Sequence, residues 1–81
     1  MLNERFRLLI EVPFDSPRLE QIEQRLRSRS LVFRRRKVES EPGRTGHWRL
    51  LVARRHYEIG FRVLLEMAAE VASKEGPRAI Q

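Results

Sequence analysis

The stretch Ser30 to Arg55, SLVFRRRKVESEPGRTGHWRLLVARR, constrains the fold more than any other. It reads as two strands, about 31–39 and 47–55, joined by a polar turn that holds Pro42, Gly43 and Gly46. In the first strand Leu31 and Phe33 share parity with Arg35 and Lys37, and Val32 shares it with Arg34, Arg36 and Val38. Leu31 and Phe33 carry the larger apolar area and are assigned to the core. The stems of Arg35 and Lys37 then lie along the sheet edge with their charged heads in water. In the second strand Trp48, Leu50 and Val52 form one face, and Arg49, Leu51, Ala53 and Arg55 the other. The turn is too long to fix the register, and a slip of one residue exchanges the faces of one strand against its partner.

The flanking segments complete a small α+β domain. In ERFRLLIEV, Phe6, Leu8, Ile10 and Val12 alternate with Arg5, Arg7, Leu9 and Glu11, as in a strand with one face on a core. Pro13 ends that strand, and Ser16-Pro17 starts a helix with Ser16 as its cap. Leu19, Ile22 and Leu26 form its inner stripe, while Glu20, Glu23 and Gln24 are expected outside. Arg25, Arg27 and Arg29 fall in the last turn, where the helix dipole favours cations.

A longer helix is expected from Tyr57 to Lys74, ended by Gly76-Pro77. Glu58, Arg62, Glu66, Glu70 and Lys74 make a charged stripe on it, read as solvated. Its apolar arc centres on Gly60, Leu64, Met67, Ala68 and Val71, with Tyr57, Phe61, Leu65 and Ala72 on a flank. The arc spans about 200°, wider than packing on one sheet requires, so part of it is expected to cover a second chain.

The order β-α-β-β-α, with a right-handed crossover, places the first and third strands side by side. The expected architecture is a ferredoxin-like sandwich: a three-stranded antiparallel sheet with two helices on one face. One domain covers 1–76, and 77–81 is a short tail or the stub of an edge strand.

Charge is concentrated in the same hairpin. Residues 25–55 hold eleven basic side chains and two acidic ones, a net +9 within a chain whose total is +6. Such clustering suits a phosphate-binding surface. The face not covered by helices would present Arg5, Arg7, Arg34, Arg36, Arg49 and Arg55, with Leu9, Val32 and Leu51 between them. The leading expectation is a small basic binding protein that contacts the backbone of RNA or DNA through this face in a salt-sensitive way. No aromatic side chain falls on it by this assignment, which leaves bases nothing flat but arginine to stack on. The alternative is a homodimeric adaptor for an acidic protein partner, with Leu9, Val32, Leu51, Phe61 and Leu65 at the interface between subunits.

Catalysis has no support in the residues. The chain lacks cysteine, which removes disulfides, thiolate nucleophiles and cysteine-bound zinc. Asp15 is the only aspartate and sits in turn chemistry. His47 and His56 lie at opposite ends of one strand, about 30 Å apart if fully extended, too far to share a metal. The glycines at 43, 46, 60 and 76 match no phosphate-loop or dinucleotide spacing. No enzyme activity, metal or cofactor is expected. With no signal-like or membrane-spanning run, a soluble cytoplasmic protein is expected.

The run from Phe33 to Val71 is similar to small YbeD-type proteins. The likeness lies in the basic strand, the turn with Ser40, Gly43 and Gly46, the aromatic Trp48, and Leu50–Val52 leading through His56-Tyr57 into a helix. It covers about half the chain, and the arginine load departs from it. It implies an ACT-like, ferredoxin-like domain of regulatory character.

Overall fold

The hairpin closes with Val38 opposite His47 and Phe33 opposite Val52. This register puts Leu31, Phe33, Arg35 and Lys37 on the side of Trp48, Leu50 and Val52, as the apolar areas require. The computed structural model describes residues 4–39, 42–43 and 46–79, with side chains through 73. Its elements are β1 (Phe6–Pro13), α1 (Arg18–Ser28), β2 (Phe33–Val38), β3 (His47–Ala53), a 3-10 turn (Arg54–His56) and α2 (Tyr57–Ala79). The three strands form one antiparallel sheet in the order β1-β3-β2. The β-α-β-β-α order and this sheet make an α+β fold of ferredoxin-like type. The core joins Val12, Leu50 and Val52 of the sheet to Leu19, Ile22 and Leu26 of α1, Leu31, and Val63 of α2.

The regular alternation expected for β1 breaks in the middle. Arg7 pairs with Val52 and Leu8 with Leu51, but Ile10 pairs with Leu50, so Leu9 is an extra residue in the ladder. A bulge of this kind reverses the parity of everything before it. Ile10 and Val12 therefore face the helices as expected, whereas Phe6 and Leu8 lie opposite Ala53 and Leu51 on the open face. Arg7 and Leu9 go the other way. Leu9 packs against the core, its methyls 3.5 and 3.6 Å from where a Cβ on Gly60 would stand. The Arg7 guanidinium lies 3.9 Å over the Tyr57 ring. Three aliphatic residues in a row, Leu8-Leu9-Ile10, cannot all be inside a regular strand, and the bulge turns two of them, Leu9 and Ile10, toward the core together, each partly buried.

α1 begins one residue later than expected, with Pro17 at the cap position and the Ser16 hydroxyl accepting the Arg18 N–H at 3.2 Å. Its C-terminus is closed by two bonds: the Leu31 N–H donates to the Leu26 carbonyl and the Ser30 N–H to that of Arg27, each at 3.0 Å. The motif requires a left-handed residue, and Ser30 supplies it at φ 59°. Leu19, Ile22 and Leu26 are buried as expected. Glu23 is buried as well, because Arg35 reaches it with two hydrogen bonds.

α2 runs to Ala79, past the Gly76-Pro77 pair expected to end it. Proline has a helix-compatible φ, so Pro77 removes one backbone bond without breaking the helix so near its end. The first half of α2 crosses the sheet, with Gly60 and Val63 buried and Tyr57, Leu64 and Met67 partly so. Ala68, Val71 and Ala72 are exposed. The inner face is thus narrower than the sequence suggests and turned toward Val63. The charged stripe is not simply solvated either, since Glu66 and Glu70 pair with Arg29 and Arg25 of α1. No strand is formed by 77–79, and Ile80 and Gln81 lie outside the described residues.

Candidate functional site

The sheet face away from the helices is a grid set by the two registers. Side chains directly opposite in an antiparallel ladder share a face, so each row can be read across the strands. Leu8, Leu51 and Arg34 form one row, and Glu11, Arg49 and Arg36 the next. Beyond these lie Phe6 and Ala53 at one end and Pro13, His47 and Val38 at the other. Val32 precedes β2 and accepts the Ala53 N–H at 2.8 Å, extending the Phe6–Ala53 row. One end of the face is apolar and the other charged.

Arg34 joins the two. Its guanidinium lies 4.1 Å over the centre of the Phe6 ring, although Phe6 is on the far side of the central strand. The residue between them in the grid is Ala53, whose small side chain leaves room for the crossing. Phe6, Arg34, Arg35, Arg36 and Leu51 line a shallow hollow of about 450 Å³ here. Leu8 is 42% exposed beside it.

At the charged end, Arg36 stands directly opposite Arg49. Like charges in that position repel, and Glu11 relieves the strain on one of them. Its carboxylate accepts from Arg49 Nε at 2.8 Å and lies 3.2 Å from His47 Nε2. The Arg49 hydrogen bond holds the Glu11 carboxyl below the ordinary glutamate range, with the charges of His47 and Arg49 adding to it. Among the described residues neither Arg34 nor Arg36 forms an ion pair.

The structure therefore divides the six arginines of the sequence reading. Arg34, Arg36 and Arg49 come together on the open face. Arg7 is on the helix side, over Tyr57. Arg5 is exposed just before β1 and shares the parity of Arg7, with its carbonyl accepting the Arg54 N–H at 2.8 Å. Arg55 belongs to the 3-10 turn and not to β3, and its side chain is tied to Glu4 at 2.9 Å.

The apolar assignments divide too. Leu51 and Val32 are on the open face, and Leu9 is packed inside. Phe61 and Leu65 are 45% and 54% exposed on α2, away from this face. Phe6 and Leu8 are the members the alternating pattern missed, and the triplet Leu8-Leu9-Ile10 was the available signal.

No family model matches the chain, and no curated protein or solved structure matches it either. The face must be read from its own chemistry. Among the described residues no cluster of His, Cys, Asp or Glu could hold a metal ion, and no helix is long and apolar enough to cross a membrane.

Proposed function

We propose that this protein is a non-enzymatic binding module that contacts the phosphate backbone of nucleic acid through its open sheet face. The observation that carries the reading is the placement of Arg34 and Arg36 side by side on that face without an acidic partner among the described residues, next to Arg49. Cations held in a row on a rigid sheet repel one another until an anion arrives, and a phosphate chain supplies repeated anions. Arg49 is shared with Glu11, so it contributes less than a free arginine.

Binding of this kind weakens steeply with salt, because each neutralised phosphate releases counterions. The test is a titration of labelled oligonucleotide with the purified protein at several salt concentrations. Affinity that falls with salt, and is lost in Arg34→Glu/Arg36→Glu with the fold intact by circular dichroism, supports the reading. Absence of binding at low salt removes it.

A second reading rests on the apolar end of the same face. Phe6, Leu8 and Leu51 form a patch that a second copy could cover in an ACT-like regulatory dimer, or an acidic protein partner could engage together with the arginines. Its cost is the burial of Arg34 and Arg36 without counter-charges among the described residues. Leu51→Asp would lower the mass measured by light scattering if the dimer forms, and a monomer at high concentration removes it. Either form of the protein is expected to work in the cytoplasm.

A further inference from the structure

Resting on the nucleic-acid reading above, we infer that the open face selects single strands over duplexes, with an unpaired base stacking at the Arg34–Phe6 pair. A duplex offers only phosphates and groove edges to a flat sheet. Cations alone would serve for that, and the row Glu11–Arg49–Arg36 would be enough. The other half of the face has no use in duplex binding: an aromatic ring, a guanidinium lying on it at 4.1 Å, and a leucine 42% exposed. Water contact at the ring and the leucine is unfavourable, and the surface of an unpaired base removes it.

The geometry gives each part a role. The Arg34 side chain is exposed, its guanidinium is planar, and its contact with the Phe6 ring holds the head over the sheet. A base can stack on the guanidinium or displace it and take the ring. Leu8 and Leu51, in the row of Arg34 itself, lie where the edge of that base or the next one would rest. Arg36 and Arg49, one row further, are placed for the phosphates that follow. The bulge at Leu9 is what brings the aromatic to this surface, so stacking and charge are combined by one irregularity in β1.

The experiment compares a labelled ten-nucleotide single strand with the blunt duplex of the same sequence, in DNA and RNA forms, for the wild type, Phe6→Leu and Arg34→Lys. Phe6→Leu keeps apolar bulk, and Arg34→Lys keeps the charge while removing the plane. Thermal melts establish that both variants fold. The inference predicts a single-strand affinity about tenfold or more above that of the duplex. Both variants should lose about tenfold for the single strand, with the salt slope unchanged at about 1.4 for the two phosphate-facing arginines, Arg36 and Arg49.

Equal affinity for the two forms overturns the inference and leaves backbone binding standing. So does a single-strand preference that survives both variants. No binding to either form at low salt, together with a doubled mass in light scattering, assigns the face to a second copy and removes both readings.

Discussion

Glu23 and Arg35 form a two-pronged ion pair that ties α1 to β2, the edge strand of the hairpin. Glu23 is nearly buried, with 9% side-chain exposure against 37% for Arg35. Arg35 also stacks on Trp48 at 4.9 Å, and Trp48 meets Phe14 edge-on at 5.3 Å. The pair therefore stands at the end of a column of contacts, Glu23–Arg35–Trp48–Phe14.

Loss of one partner should cost more than loss of both. Arg35→Ala leaves the Glu23 carboxylate in a poorly solvated place and is expected to destabilise the fold by about 1–3 kcal/mol, below the fully buried case because Arg35 is partly exposed. Arg35→Met with Glu23→Leu should recover most of that. Urea unfolding of the two variants measures the difference, and equal losses would show that the pair is a solvated one.

Ser30→Gly should stabilise the protein by about 1 kcal/mol. The left-handed conformation at φ 59° is costly for a residue with a Cβ and free for glycine. The gain is reduced by the greater freedom of glycine in the unfolded chain. A rise in the thermal midpoint is the expected result, and a fall would mean that the serine hydroxyl makes up for the strain.

Two glycine-to-alanine changes should move in opposite directions. A Cβ at Gly46 would stand 2.5 Å from the Val38 carbonyl oxygen and 2.7 Å from the Phe14 ring, so Gly46→Ala must displace backbone or an aromatic that packs on Trp48. A loss of about 1–3 kcal/mol is expected. At Gly60 the same atom would find only ordinary contacts, at 3.5 Å or more, within a helix. Gly60→Ala should be neutral or gain up to about 1 kcal/mol from helix propensity. Chemical denaturation of both variants checks the pair.

Acid should weaken the fold through Glu4 and Glu11. Hydrogen bonds from Arg55 and Arg49 hold these carboxyls below their ordinary value of 4.5. A depressed folded-state value means that the stabilisation is complete above the unfolded value and is lost as pH falls from about 4.5 through the depressed one. Thermal melts between neutral pH and about pH 3 should show the decline, and Glu4→Gln/Glu11→Gln should flatten it. The same Glu11→Gln change frees Arg49 and is expected to raise nucleic-acid affinity a few-fold.

The hairpin was legible because Leu31 and Phe33 outweigh Val32 in apolar area, and Trp48, Leu50 and Val52 leave no competing face. That favoured one side for Arg34, Arg36 and Arg49, but the length of the turn left the register open, and the pairing of Val38 with His47 fixes it. β1 was not legible to the same degree: its alternation is formally good, and only packing decides whether Leu9 or Leu8 goes inside. The packing is set by α2, whose Gly60 lies in ordinary contact range of the Leu9 methyls. The burial of Glu23 and the inward place of Val63 were hidden for a related reason. Both depend on how far each helix overlaps the sheet, a tertiary quantity that periodicity within one helix does not contain.

The extra residue in β1 also bears on how such a surface changes through descent. The strand before Leu9 is out of phase with the strand after it, so loss of one residue between Phe6 and Leu8 would carry Phe6 inward and Arg5 outward with no substitution at all. Insertions and deletions ahead of the bulge, more than point mutations, are the events by which a lineage of this fold would exchange a stacking surface for a purely cationic one.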